Sequence, residues 1–266
     1  MLAVFAIQAQ SERAFHGGAL GFDAVLGARG SALQLVLNAV FHLETSPGNL
    51  PWSVYPAIAE DPNVELAIPY AVGDNYRGFR IVGTTAQLFA GFEWDGTRGF
   101  AFAEGRLFDP ARREAVVGSF AARKPGLHAG QVFHPYHGLV FDESMQHAEE
   151  FAIAGVLART HTPADRAIWI PLDAVYRISG HVLRGDRQTF TASENGEIAD
   201  AHKEVSAVML RFHSPQAGFL MDQGCARRRR AGLEGVSHGR GDGAAAGVVK
   251  PIRRPVRARN RLRGSA

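Results

Sequence analysis

The stretch Val64-Glu-Leu-Ala-Ile-Pro-Tyr-Ala-Val-Gly-Asp-Asn-Tyr-Arg-Gly-Phe-Arg-Ile-Val82 decides the fold class of this chain. Residues 64–70 and residues 79–82 are two runs rich in apolar and β-branched side chains. Gly73-Asp-Asn75 lies between them and combines residue types that favour a turn. Because two β-like runs joined by a turn signal are typical of a hairpin, the sequence predicts paired antiparallel strands that turn at residues 73–75.

The segments before this hairpin predict another strand and an amphipathic helix. Gly21–Leu26 alternates weakly between apolar and polar residues, as a strand does, and Gly27–Gly30 is a turn signal. Ser31 is a good N-cap for the helix that follows. Five apolar residues at helical spacing predict the face that packs on the core: Leu33, Val36, Leu37, Val40 and Phe41.

The segments after the hairpin predict many short strands. Ala167–Pro171 is a β-like run closed by proline, Leu172–Ser179 is expected to be a short helix, and Val205–Phe212 alternates as a strand does. Shorter β-like runs separated by turns fill the middle of the chain, at residues 115–117, 132–133, 139–141, 151–154 and 156–157. The sequence therefore predicts an α+β fold with a small β-rich module in its middle.

The net charge of +3 conceals two regions of opposite charge. Residues 222–266 carry 12 basic and 3 acidic side chains, whereas residues 1–221 carry 17 basic and 23 acidic ones. The body of the protein is therefore mildly acidic, which gives no reason to expect nucleic acid as its partner. The chain is 46% apolar, so the body has enough apolar surface to bury a core.

The last 45 residues differ in kind from the body. They contain no aromatic residue and are dominated by Arg, Gly and Ala, including the run Arg227–Arg230, so we expect a disordered tail. Three interpretations stay open: a C-terminus translated out of frame from a GC-rich gene, a genuine flexible tail, and an arm that binds nucleic acid through its phosphates. The single cysteine, Cys225, lies here, so residues 1–221 can form neither an internal disulfide nor a Cys-based zinc site.

The sequence lacks several catalytic signatures and a full membrane span. There is no Gly-Lys pair, so the chain is not itself a P-loop ATPase, and no Gly-x-Ser-x-Gly or His-Glu-x-x-His motif occurs. No segment reaches the roughly 18 apolar residues that a membrane helix needs. Met1–Ile7 is apolar, and it is interpreted either as an ordinary helix start or as the end of a longer apolar helix.

A group of histidines provides the candidate metal ligands. His134 and His137 lie in one loop of the β-rich middle, and His147 and His161 follow. Nearby carboxylates are Asp142, Glu143, Glu149 and Glu150. Imidazole and carboxylate ligands suit zinc or a similar transition metal, but the spacing is irregular and loops of soluble domains commonly carry histidines. A metal site at these four histidines and a set of solvated loop histidines are therefore both kept as hypotheses.

Nine motifs, in order, resemble one known family over about residues 10–221. Together they are similar to the extracytoplasmic core domain of MacB-like, FtsX-like ABC transporter permeases. The motifs are Phe22-Asp-Ala-Val-Leu-Gly-Ala-Arg-Gly-Ser31, Leu33-Gln-Leu-Val-Leu-Asn38, Pro47-Gly-Asn-Leu-Pro51, Gly73-Asp-Asn-Tyr-Arg-Gly-Phe-Arg-Ile-Val-Gly83, Glu104-Gly-Arg-Leu-Phe108, Glu114-Ala-Val-Val-Gly-Ser119, His137-Gly138, Ala154-Gly-Val-Leu157 and Thr160-His-Thr-Pro-Ala-Asp-Arg-Ala-Ile-Trp-Ile-Pro171.

The resemblance implies a domain organisation. A mixed α/β part is formed by residues 19–111 and 161–221, and residues 112–160 form an inserted β-rich module. Residues 1–18 resemble the end of a membrane-exit helix, and residues 222–266 depart from the family pattern, so we expect a fragment of a longer permease. Relatives of this branch often have histidines and acids before the equivalent of Val156-Leu157, and His137 and His147 match that pattern.

The resemblance also implies a function without catalysis. Such permeases lie in the cytoplasmic membrane with this domain outside it, and a separate ATPase subunit binds ATP. The partners implied are that ATPase, a second permease copy and a periplasmic adaptor protein, with membrane contact through further helices. The loops around Phe133–Tyr136 and Val140–Met145 are the candidate contact surfaces. We expect no catalytic residue and no bound cofactor; the alternative is a soluble metal-binding protein or metal-dependent enzyme that uses the four histidines.

Overall fold

The protein was described from a computed structural model, which covers residues 20–90, 93, 99–183, 189–190, 198–214, 216–218, 220–221 and 248–251. Helices and strands are mixed along this part of the chain, so the predicted α+β fold class is confirmed. The α-helices are α1 (Ala32–Ala39), α2 (Val54–Ala59), α3 (Ser119–Arg123) and α4 (Leu172–Tyr176).

The strands are mostly short, as the spacing of turn signals predicted. They are β1 (Ala24–Gly27), β2 (Leu50–Pro51), β3 (Val64–Tyr76), β4 (Phe79–Thr84), β5 (Phe102–Gly105), β6 (Glu114–Val117), β7 (Val132–Phe133), β8 (Tyr136–His137), β9 (Phe151–Leu157), β10 (Ala167–Pro171), β11 (Val182–Leu183), β12 (Thr189–Phe190), β13 (Glu204–Val205), β14 (Ala207–Phe212) and β15 (Val248–Pro251).

One large sheet organises these strands. Its order is β15-β1-β14-β3-β4-β10-β6-β9-β5, with β7 paired to β9 and β8 paired to β3. The pairs β4–β10 and β6–β9 are parallel, and the remaining pairs in this sheet are antiparallel. Two small antiparallel pairs, β11–β12 and β2–β13, lie outside this path.

Strand β3 joins the two halves of the large sheet. Its first part, as far as Tyr70, pairs with β14, and its second part, from Ala71 onward, pairs with β4. The predicted hairpin is confirmed, but the turn predicted at residues 73–75 is wrong. The strand continues to Tyr76, and the chain turns at Arg77 and Gly78, which have φ angles of 49° and 83°. Asp74 and Asn75 pair with β4 on one side and with β8 on the other, and the register shifts at Gly73, so the strand continues through this stretch.

Helix α1 begins where the sequence predicts, and part of its predicted face packs on the core, with Val40 buried. Ser31 caps it, since its hydroxyl accepts a hydrogen bond from the backbone N–H of Gln34 at 3.3 Å. Leu35 is buried and lies directly over Gly27, whereas Leu33, predicted to face the core, is 64% exposed. A side chain at residue 27 would displace Leu35, so this close approach to β1 orients the helix.

The core covers both faces of the large sheet. On one face Trp169 is fully buried and contacts the rings of Tyr70, Phe89 and His42. On the other face, residues of β6, β9 and β10 pack with helices α3 and α4. Among the described residues, no helix has the length and apolar character that crossing a membrane requires.

The segment 112–160 contributes β6 to β9, and both β6 and β9 extend the large sheet. The strand predicted at residues 139–141 is wrong: this stretch is irregular, and Nδ2 of Asn75 lies 2.9 Å from the carbonyl of Gly138 before it and 3.4 Å from that of Val140. In the region expected to be disordered, β15 pairs with β1, and the rest of residues 222–266 lies outside the described residues. The expected membrane-exit helix at residues 1–18 also lies outside them.

Candidate functional site

Four side chains from separate parts of the chain converge beside strand β3: Asp74, His137, His147 and His181. One ligand-type atom of each residue lies within 4.8 Å of the other three. Oδ1 of Asp74 is 3.5 Å from Nδ1 of His137, 3.5 Å from Nε2 of His147 and 3.1 Å from Nε2 of His181. Nδ1 of His137 and Nε2 of His181 are 3.2 Å apart. We call these residues the histidine–aspartate cluster.

Backbone pairing brings the cluster together. Asp74 follows the register shift in β3 and lies opposite His137 of β8. The amide group of Asn75 holds β8 in place, since its Nδ2 donates to the carbonyl of Gly138 at 2.9 Å and reaches those of Tyr136 and Val140 at 3.4 Å. The backbone N–H of His147 donates to the carbonyl of Pro135 at 2.9 Å, which brings the second histidine back beside the first.

The fourth residue of the cluster, His181, lies 44 positions after His137 in the sequence. His181 follows α4, and its backbone N–H donates to the carbonyl of Ile178 at 3.2 Å. Because α4 packs on β10, β4 and β3, it delivers His181 to the side of Asp74. The cluster therefore joins the long strand β3, the segment 112–160 and the chain after α4.

The cluster is buried except on one side. The side chains of Asp74, His181 and His147 are 3%, 7% and 11% exposed, whereas that of His137 is 50% exposed. Burial raises the pKa of the Asp74 carboxyl, but the neighbouring rings of His147 and His181 more than offset this effect and lower the pKa to about 2. The carboxylate is therefore ionised, and no hydrogen bond of good geometry from the described part of the chain reaches either of its oxygens or Nε2 of His147.

A cleft of about 800 Å³ adjoins the exposed side of His137. The loop Gly138–Glu143 and Met145 form one wall, and the buried Arg80 and Asn38 lie in the cleft lining as well. Val140, Phe141 and Met145 are 79%, 37% and 44% exposed, so this wall presents apolar side chains to solvent. The cleft gives small solutes a path to His137.

The structure places two of the four histidines proposed as metal ligands in the cluster. It brings His137 and His147 together, but it places His134 and His161 elsewhere. Nδ1 of His134 lies 3.0 Å from the carbonyl oxygen of Glu149, and the backbone N–H of His161 donates to Asp165 at 2.8 Å. Whether the cluster binds metal stays a prediction.

Three of the four carboxylates proposed from the sequence have partners outside the cluster, whereas Glu143 lines the cleft. Asp142 caps the short turn at Ser144, Glu149 accepts hydrogen bonds from Ser179, and Glu150 lies 3.8 Å from His134. Sequence reasoning missed Asp74 because the Gly-Asp-Asn motif was interpreted as a turn. It missed His181 because this residue lies 44 positions from His137 and no local motif connects them.

The family model of the MacB-like periplasmic core domain matches residues 14–208, which is more than half of the chain. The chain belongs to the MacB-like periplasmic core domain family. It is an extracytoplasmic domain of a MacB-like ABC transporter permease, as its motifs indicated. This family consists of transporter domains rather than enzymes, and it implies an ATPase partner.

Solved structures of low sequence identity are similar to this MacB-like domain. One is the extracellular domain of the noncanonic ABC-type transporter YknZ from Gram-positive bacteria, with 11% identity, a TM-score of 0.45, and coverage of 86% of this chain and 100% of that chain. Another is the periplasmic region of MacB from Actinobacillus actinomycetemcomitans, with 10% identity, a TM-score of 0.46, and coverage of 90% and 92%. No curated protein sequence matches the chain.

Proposed function

We propose that this domain transmits movement of a permease's membrane segments to a substrate or partner outside the membrane. In this proposal a separate cytoplasmic ATPase subunit supplies the energy, and a second permease copy provides the neighbouring domain. In this proposal no residue of the chain acts in catalysis. The proposal rests on membership of the MacB-like family and on one structural observation, the pairing of β1 with β14.

This pairing joins the two ends of the sheet-forming body. Ala24 lies opposite Leu210 and Gly27 opposite Ala207. The backbone N–H of Asp23 donates to the carbonyl of Leu210 at 2.8 Å, and the side chain of Asp23 accepts from the backbone N–H of Phe212 at 2.9 Å. Because these strands are held together, a displacement of the chain before β1 acts on β14 as well.

Only a few paired strands separate the ends of the domain from the cleft. Strand β14 pairs with the first part of β3, and the second part of β3 carries β8 and the loop that follows it. Two strand pairs therefore connect the ends of the domain to the loop Val140–Met145. This loop supports the proposed contact surface because its apolar side chains are exposed, whereas Phe133 of the other proposed surface is buried against Phe151.

The experiment measures this movement in a complete transporter reconstituted with its ATPase. A spin label replaces Val140, and pulsed electron paramagnetic resonance measures the distance between the labels of the two permease copies. We expect the distance to change between the nucleotide-free and ATP-bound states. An ATPase that cannot bind ATP is the matched control and should abolish the change. Identical distances in both states, in a transporter that still transports, would contradict the proposal.

A further inference from the structure

We propose that Asp74, His137, His147 and His181 bind one Zn²⁺ ion, and that this ion closes the base of the loop 138–146. This inference does not depend on the proposed function, because it concerns the folded domain alone. It is carried by three observations, which are the spacing of the ligand atoms, the unsatisfied polar atoms between them, and the position of the ligands in the fold.

The spacing matches a tetrahedral zinc site. Zn²⁺ binds histidine nitrogens and carboxylate oxygens at about 2.0 to 2.2 Å, so the ligand atoms of a tetrahedron lie about 3.3 to 3.5 Å apart. Four of the six separations among these ligand atoms are 3.1, 3.2, 3.5 and 3.5 Å, and the other two are within 4.8 Å. Three imidazoles and one carboxylate suit zinc better than Mg²⁺ or Ca²⁺, which prefer oxygen ligands.

The polar atoms at the centre of the cluster need a partner. Both carboxylate oxygens of Asp74 and Nε2 of His147 are buried, and within the described residues no well-formed hydrogen bond satisfies them. A buried, ionised carboxylate without a hydrogen-bond partner lowers the stability of the folded state. Three ring nitrogens lie within 3.5 Å of one carboxylate oxygen, and a cation bound among them would satisfy all of these atoms at once.

The ligands are placed so that a bound ion would hold both ends of the loop 138–146. His137 and His147 flank residues 138–146, and the ion would join both ends of this loop to Asp74 of β3. The loop carries Val140, Phe141 and Met145, the exposed apolar residues of the cleft wall. Because His137 is half-exposed and lines the cleft, Zn²⁺ can reach the site from solvent without unfolding of the domain.

The test uses the untagged 266-residue chain carrying Cys225→Ser, so that the single thiol contributes no ligand. The protein is stripped with a chelator and titrated with Zn²⁺ by calorimetry, and retained zinc is counted by mass spectrometry after dialysis. We expect one Zn²⁺ per chain and a higher melting temperature with zinc than without it. Mg²⁺ at the same concentration should produce neither effect.

Ligand variants and matched controls identify the site. Asp74→Asn, His137→Ala and His181→Gln should each weaken Zn²⁺ binding by at least about tenfold, because even outer-shell changes around a metal have effects of that size. His134→Ala and His161→Ala should leave the affinity unchanged. His137→Ala is the variant least expected to disturb folding, because the side chain of His137 is half-exposed. Circular dichroism of the metal-free protein checks that each variant folds.

Three results would overturn the proposal. The first is a Cys225→Ser chain with all four ligands that retains no stoichiometric zinc although its fold is intact. The second is equal weakening by His134→Ala and by His137→Ala, which would indicate non-specific binding to surface histidines. Zinc binding that survives in Asp74→Asn and in His137→Ala would place the ion elsewhere and would also contradict this assignment.

Discussion

Asp74 of β3 lies directly opposite His137 of β8, and Oδ1 of the first is 3.5 Å from Nδ1 of the second. This pair connects the long strand that joins both halves of the sheet with the segment that carries the exposed apolar loop. The relationship depends on β3 continuing past Gly73, where the sequence suggested a turn. It therefore links the fold of this MacB-like domain to its candidate metal site.

The first prediction concerns the exposed loop. Val140→Ser together with Met145→Ser should change the free energy of unfolding by less than about 0.5 kcal/mol, because both side chains are exposed. In the complete transporter the same pair should lower the transport rate if the loop contacts a partner. Leu33→Ser is the control, since Leu33 is 64% exposed and lies on α1. Equal transport by the loop variant and the control would argue against a contact role.

The second prediction concerns the side chain that holds β8 in place. Asn75→Asp keeps the oxygen that accepts from the backbone N–H of Gly78, but it removes the amide hydrogens that bond to the carbonyls of β8 and the next loop. The loss should lower the free energy of unfolding by about 1 to 3 kcal/mol, measured by urea denaturation. Hydrogen exchange should rise at the backbone N–H of Gly138. Unchanged exchange there would show that the side chain does not fix β8.

The third prediction concerns the close contact between β4 and α4. A Cβ atom at Gly83 would lie 2.1 Å from Cγ2 of Val175, which is a stiff β-branched side chain. Gly83→Ala should therefore lower the free energy of unfolding by about 1 to 3 kcal/mol. Adding Val175→Ala provides space, so the double variant should lose less than the sum of the two single variants. If the losses of the two single variants simply added in the double variant, the contact between residues 83 and 175 would not be the cause of the destabilisation.

The fourth prediction concerns acid stability. Burial, assisted by the charge of Arg80, lowers the pKa of His42 from its ordinary value of 6.5 to about 4. The folded state therefore holds His42 neutral, so its contribution to stability is complete above pH 6.5 and is lost as the pH falls toward 4. The loss should reach about 3 kcal/mol.

A single variant isolates the contribution of His42. The residue has a positive φ of 57°, which asparagine tolerates well, so His42→Asn is the suitable replacement. Urea denaturation at pH 7 and at pH 4 should show a smaller fall in stability for the variant than for the natural chain. The same fall in both proteins would show that other groups cause the acid sensitivity.

Short sequence patterns predicted the elements whose structure depends on residues nearby in the chain. The strand predicted around β14, the proline that closes β10 and the serine that caps α1 all depend on nearby residues, and the structure confirms each of them, although β14 is buried on both faces instead of alternating. The burial of Leu35 and the exposure of Leu33 were not predictable, because they depend on the contact of Leu35 with Gly27, which the helical period does not reveal.

The cluster was only half predictable for the same reason. His137 and His147 lie within one loop and its return, so their proximity in sequence was informative. Asp74 and His181 join them through the β3–β8 pairing and through the packing of α4, which are long-range features. Residues 139–141 have the composition of a strand, but they are irregular, and the carbonyl of Val140 faces the side chain of Asn75 at 3.4 Å instead of a neighbouring strand.

X-ray absorption at the zinc K-edge measures the ligand shell of the bound ion in the Cys225→Ser chain, and so it tests whether the histidine–aspartate cluster holds zinc. We expect four nitrogen or oxygen neighbours at about 2.0 to 2.2 Å, with the outer scattering of three imidazole rings. His181→Gln should reduce the imidazole contribution to two rings. A six-coordinate shell of oxygen atoms, or a spectrum unchanged in His181→Gln, would contradict the assignment.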